Sequence, residues 1–281
     1  MSTLGRDWLG ANPYLAGIAR FQAIVEEALA RAPDRLARVE RWEAWRAEAA
    51  AGVPILRSRS AGVDFAPAAA ATLGDLVEAL AGAPLPKGLA ASLHELREPL
   101  LLQRGGRDRA IAWIAAGAGA DGAPENAGLV KLLAWTAARR VLAPIAREAG
   151  QQTERWGRGH CPTCGALPVM AQLVEGEGGR PRLLSCGCCG TRWRHRRIGC
   201  PYCDSEAPDS LEILEVEGDV PLRLDVCREC MGYLKVYTAE GDEETFLADW
   251  PTLHLDLAAA NLGFRRLGSS LYDLPQDERR N

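Results

Sequence analysis

Apolar positions along this chain follow two periods, and the change between them divides it. From residue 1 to about residue 155 they recur at three- and four-residue spacing, as helices require. Tyr14, Ile18, Phe21, Val25 and Ala28 fall on one helical face behind the turn residues Asn12 and Pro13. Pro33 and Asp34 close that helix and open a second, expected to run to about Ala50 with Trp42 and Trp45 on its flank. Residues 52–66 show no clear period and read as a connector. Further helices are expected over 72–81, 86–102 and 107–116, the last broken by 117–122. The stretch 125–150 carries Leu129, Val130, Leu132, Leu133, Trp135, Val141, Leu142 and Ile145 nearly all round, the mark of a buried central helix, in which Pro144 predicts a kink or break. These positions read as core packing, and no catalytic constellation stands out among them. His94 is alone on its helix.

The polar, glycine-bearing run 151–160 marks a boundary. Beyond it the pattern becomes strand, turn, strand: 167–174, a turn at 175–179, and 182–185. The order repeats with 211–216, a turn at 217–219, and 222–226, followed by a last strand at 233–237. Helix returns over about 245–262, with Trp250 and Pro251 in an early turn and Leu253 and Leu257 on one face, and residues from Gly268 onward read as a tail. The expected fold class is α+β. A helical domain at 1–155 precedes two tandem ribbons of rubredoxin or zinc-ribbon type, 156–199 and 200–245, and a C-terminal helix and tail at 246–281.

Four Cys-x-x-Cys knuckles bound these hairpins: Cys161/Cys164, Cys186/Cys189, Cys200/Cys203 and Cys227/Cys230. A knuckle directs two thiolates at one soft metal, and two knuckles complete the tetrahedral four-sulfur shell used by zinc or mononuclear iron, so the chain is expected to hold two ions. Twenty-one residues between Cys164 and Cys186, and twenty-three between Cys203 and Cys227, are each enough for one hairpin that unites its own knuckles. A cross-brace, first knuckle with third and second with fourth, satisfies the same ligand count. Gly165, Gly190 and Gly232, just past three knuckles, suit a close turn around the sulfurs. Cys188 is left over as a spare thiol inside the second knuckle. His160 and His195 flank knuckles, where a hydrogen bond to a ligating cysteine competes with an ordinary loop role. The rival reading of a redox dithiol fits poorly, because such motifs come singly at a helix N-terminus.

Composition adds a setting. The chain is long enough for a sizeable core, and the longest apolar stretch, 110–120, is too short to cross a bilayer. No signal peptide or membrane segment is expected. Nine cysteines without an export signal point to a reducing compartment, with the cytoplasm as the expected location. The net charge of −4 is unevenly spread. Arg180, Arg182, Arg192, Arg194, Arg196 and Arg197 lie in a stretch without acids, whereas residues 204–249 hold fourteen acids against Arg223, Arg228 and Lys235.

Taken together, Cys161-Pro-Thr-Cys-Gly-Ala-Leu-Pro-Val169, the second pair followed by Trp193 and arginines into Cys200, the third pair, and Cys227-Arg-Glu-Cys-Met-Gly-Tyr-Leu-Lys235 resemble the bacterial formate dehydrogenase accessory family FdhE. The helix lengths around the knuckles fit as well, so the resemblance covers most of the chain. It implies a cytoplasmic, non-catalytic assembly factor that contacts the catalytic subunit of a respiratory formate dehydrogenase, a molybdenum or tungsten enzyme, before its export. It also implies rubredoxin-type iron at the cysteines, with zinc able to take the same sulfurs. Two other classes compete. A nucleic-acid-binding ribbon is suggested by the arginines around Trp193, and electron or sulfur transfer by the sulfur ligation itself.

Overall fold

The computed structural model describes residues 3–117, 123–152, 156–176, 179–215 and 221–272. Its helices are α1 (Thr3–Ala11), α2 (Ala16–Arg31), α3 (Trp42–Ala49), α4 (Ala66–Ala81), α5 (Lys87–Arg97), α6 (Gly106–Ala116) and α7 (Ala127–Gln151), with α8 (Glu243–Phe246) and α9 (Leu253–Asn261) near the C-terminus. On α2 the expected face is buried at Phe21, Val25 and Ala28, but Tyr14 lies before the helix in a short turn and is exposed. The second helix starts only at Trp42, because the backbone before it bonds elsewhere: Ala37 N donates to Val141 O, and Arg41 N to Ala61 O. Conversely, α4 starts earlier than expected, with a proline in its first turn, where the missing N–H costs nothing.

Helix α7 is the predicted central helix, with Val130, Leu133, Trp135, Val141, Leu142 and Ile145 all buried. It runs through Pro144 without ending. A proline deletes one helical hydrogen bond, and burial of Ile145, Ala146 and Ala149 beyond it holds the last turns in place.

The strands are β1 (Pro168–Leu173), β2 (Arg182–Cys186), β3 (Arg192–His195), β4 (Leu211–Glu215), β5 (Leu222–Cys227) and β6 (Gly232–Tyr237). They form one six-stranded sheet in the order β3-β2-β1-β6-β5-β4. Every neighbouring pair is antiparallel except β1 and β6, whose parallel pairing fuses the two hairpins. Strand β3 was not expected, although its alternation is plain: Trp193 and His195 are buried, while Arg194 is exposed on the other face.

The single helix expected over 245–262 is divided. Asp249 takes a left-handed φ of +71°, Pro251 follows, and the chain re-enters helix at Leu253. Leu255, Asp256 and Ala259 face the core, so Leu257 is exposed. Residues 268–272 are a docked strap: Ser269 N donates to Leu167 O, and Ser270 and Leu271 are buried. The remainder of the expected tail, 273–281, the expected turn at 217–219 and parts of the expected breaks at 117–122, 151–160 and 175–179 lie outside the described residues.

Two cores result. One joins the helices to the first hairpin, so that Trp45, Leu76 and Val141 share it with Cys161, Leu184, Cys189 and Trp193. The other lies under the second hairpin, where Leu224, Val226 and Tyr237 meet Phe246, Leu255 and Phe264. Trp8 of α1 closes this second core, its ring edge-on to Phe246 and its Nε1 donating to Pro251 O at 3.2 Å.

Candidate metal centres

Each knuckle is a tight turn closed by backbone hydrogen bonds. Gly165 N donates to Cys161 O, Gly190 N to Cys186 O, and Asp204 N to Cys200 O. The residue after the second cysteine is left-handed in all four: Gly165 (φ +83°), Gly190 (+79°), Asp204 (+61°) and Met231 (+55°). Gly232, picked out in sequence as a turn glycine, has a different role. A Cβ there would lie 2.6 Å from the end of the Leu267 side chain and 3.2 Å from Cys230 Sγ, so a larger residue would have to displace its neighbours. Asp204 and Met231 carry the turn instead, at the cost of about 1–2 kcal/mol that a side chain incurs in this region. Neither residue type signals a left-handed position strongly enough to be found from sequence.

The turns gather the eight expected cysteines into two groups in sequence order. Cys161, Cys164, Cys186 and Cys189 form one, Cys200, Cys203, Cys227 and Cys230 the other, and within each group all sulfurs lie within 4.8 Å of one another. The cross-brace is therefore not the arrangement adopted. Sulfur–sulfur distances are 3.5 Å for Cys161–Cys189 and Cys164–Cys186, 3.6 Å for Cys200–Cys230 and 3.7 Å for Cys203–Cys227. A disulfide needs about 2.05 Å, and all nine cysteines are free. A tetrahedron with metal–sulfur bonds of about 2.3 Å has edges of about 3.8 Å, so both groups have the donor set and the size to hold a zinc or iron ion.

Their electrostatics point the same way. Burial pushes the Cys161 thiol well above its ordinary range, and burial raises Cys230 to about 11. Cys164 is raised chiefly by its hydrogen bond to Cys161. Burial works against charge on Cys186 too, yet hydrogen bonds from Cys161, Cys164, Cys188 and Cys189 outweigh it and favour the thiolate. By themselves the four sulfurs accommodate little negative charge, and a cation is what allows all four to ionise.

The groups differ in setting. The first is embedded: Cys161, Cys186 and Cys189 are buried, Thr191 Oγ1 lies 3.1 Å from Cys189 Sγ and donates to Thr163 Oγ1, and Ile55 N and Leu56 N donate to the carbonyls of Pro162 and Thr163. Arg139 of α7 donates to Cys188 O at 3.1 Å and to Gly187 O, bracing the second knuckle from the helical side. No local motif marks Arg139 for this task. The second group opens to solvent at Cys203. Tyr202 supports it from below, with its N–H 3.4 Å from Cys200 Sγ and its hydroxyl donating to Pro168 O or Tyr233 O.

Of the other flagged residues, only Cys188 reaches a ligating sulfur, that of Cys186. Cys188 is buried, with its thiol toward Ser269 O. His160 Nε2 meets Gly52 O, and His195 Nδ1 meets Arg182 at 3.2 Å. The arginine run is largely consumed by the fold. Arg182 is buried against Asp225 and Gly199 O, Arg196 pairs with Asp204 and Glu206, Arg180 donates to Leu173 O and Thr238 O, and Arg192 donates to Gln172. Trp193 is fully buried, its Nε1 donating to Arg158 O, and offers no face for a base to stack on. No helix is long and apolar enough to cross a membrane among the described residues.

No family model matches the chain. A protein FdhE homolog of Haemophilus influenzae strain PittGG is 34% identical over 122 residues, 42% of this chain and 40% of the relative. The match thus spans about two fifths of the length of that relative. A protein FdhE homolog of Pseudomonas aeruginosa is 32% identical over 213 residues, 71% of this chain and 66% of the relative. The crystal structure of the FdhE protein from Pseudomonas aeruginosa superposes with a TM-score of 0.67 at 25% identity, covering 96% of this chain and 94% of that one. Because the likeness runs through the helical part as well as the knuckles, the chain belongs to the FdhE family.

Proposed function

We propose that this protein binds the catalytic subunit of a formate dehydrogenase in the cytoplasm before export and is needed for that enzyme to reach its active form. It acts by binding and not by catalysis. Each four-cysteine group holds one metal ion, iron in the cell, with zinc able to take the same place. The observation that carries the reading is a likeness to FdhE proteins extending over nearly the whole chain, cysteine groups included. An ion bound by four thiolates cross-links two knuckles and, if iron, adds a one-electron couple. The chain's own residues do the rest: the left-handed turn residues aim the sulfurs, Thr163 and Thr191 fix Cys189, and Arg139 ties the first group to the helices.

Because the client must leave for export, the contact is transient, with a dissociation constant of about micromolar order. The test is a pull-down from native cells with the wild-type chain and Cys227→Ser side by side, alongside assays of a deletion strain. The reading expects recovery of the catalytic subunit by the wild type, and dehydrogenase subunits that are made but poorly active in the deletion strain. Recovery of nucleic acid or ribosomes without any dehydrogenase subunit would overturn it.

A further inference from the structure

A cleft of about 820 Å³ lies beside the first cysteine group, between the C-terminal half of α7, the β2–β3 hairpin and α8. Strand pairing builds its floor. Leu183 is opposite Arg194 and Ser185 opposite Arg192, so these four side chains share one face of the hairpin, while Leu184, Trp193 and His195 turn to the other. Four guanidiniums line the cleft, and two of them are occupied: Arg139 with the second knuckle, Arg192 with Gln172. Arg147 on α7 and Arg194 on β3 are exposed, and among the described residues neither has a hydrogen bond or ion pair. Ser185 lies on the same face, and its Oγ is buried without a partner. The opposite lip is acidic, formed by Glu243, which accepts from Gln172, and Glu244.

We propose that this cleft is a binding site for an extended acidic peptide segment, its carboxylates on Arg147 and Arg194 and its backbone N–H groups on Glu244. A free oxyanion would meet the arginines but be repelled by Glu243 and Glu244 on the opposite lip, and it fills a small part of a cavity within the roughly 300–1,000 Å³ range of ligand sites. A peptide supplies both kinds of group. Val174, Leu183 and Leu247 add apolar lining that suits small apolar residues among the acids. The proposal rests on the client-binding reading above only in supplying a seat for part of the client.

The test uses the metal-loaded full chain and a fluorescein-labelled peptide of alternating aspartate and alanine, with an alternating asparagine peptide and inorganic phosphate as comparators. The aspartate peptide is expected to bind, to be released by salt, and to lose affinity on the order of tenfold with Arg147→Glu and again with Arg194→Glu, while Arg20→Glu on α2 has no effect. Absence of binding, equal binding of the asparagine peptide, or displacement by millimolar phosphate as effective as by unlabelled peptide would overturn the proposal. Peptide binding that persists while no dehydrogenase subunit is captured from cells would overturn the client reading and leave the cleft assigned.

Discussion

Met170 of β1 lies opposite Lys235 of β6 in parallel register, and this pairing, continued by Ala171 with Val236 and Gln172 with Tyr237, makes one sheet of two duplicated hairpins. Lys235 then sends its ammonium into a buried cluster, donating to Asp249 and, at 2.9 Å, to Asp256. Arg266 reaches the same carboxylates, Tyr233 donates to Asp256, and Ser270 to Asp249. The seam of the sheet thus also anchors α9 and the strap at 268–272.

Removing the cation at that seam leaves two buried carboxylates sharing Arg266. Lys235→Ala is expected to cost about 3–5 kcal/mol, read by urea denaturation of the metal-loaded protein, with the first cysteine group retaining its ion. A loss below about 1 kcal/mol would mean that the cluster is wet and does not hold the C-terminal segment.

Acid sensitivity has a source in His195. Burial, followed by the charges of Arg182 and Arg196, lowers its pKa from 6.5 to about 4. The folded state therefore keeps this ring neutral where the unfolded chain protonates it. Stability from this group is complete above pH 6.5 and declines as pH falls toward 4, approaching a tenfold change in the folding constant per pH unit. His195→Gln is expected to flatten that part of the pH profile relative to wild type. Identical slopes in the two proteins would contradict the assignment.

Cys203 is exposed whereas Cys161, Cys186 and Cys189 are buried, so the two ions should exchange unequally. With a chelator in excess, the ion at Cys200, Cys203, Cys227 and Cys230 is expected to leave first, at least on the order of tenfold faster, the factor given by about 1.4 kcal/mol of barrier. Stopped-flow absorbance of released metal should be biphasic. The fast phase should vanish in Cys203→Ser.

The arginines that looked alike in sequence should separate by burial. Arg194→Ala is expected to change stability by less than about 0.5 kcal/mol. Arg182→Ala leaves Gly199 O and His195 Nδ1 without their partner in a buried site, Asp225 keeping Arg223, and should cost about 1–3 kcal/mol. Thermal melts of the two variants at one pH decide the point.

The knuckles, their hairpins and the central helix were legible because each is written locally, in cysteine spacing, strand alternation or all-round apolarity. The fused sheet was not, because the β1–β6 pairing joins segments distant in sequence and leaves no period in either. Strand β3 was hidden by its charge: the arginines that suggested an exposed binding stretch alternate with Trp193 and His195, which are core. Pro144 misled in the opposite sense, since its local penalty is outweighed by packing that only the folded chain supplies. Asp249 and Pro251, which divide α8 from α9, carried a signal of their own, but a left-handed aspartate held by Lys235 and Arg266 is legible only once those partners are in place.

Two separate four-sulfur metal sites, each closed by one hairpin, can be counted by metal analysis of anaerobically prepared protein. Two ions per chain are expected in the wild type and one in each of Cys164→Ser and Cys203→Ser, with sulfur-only coordination in the X-ray absorption spectrum of the ion that remains. One ion or none in the wild type, or loss of both ions from either single variant, would contradict this arrangement.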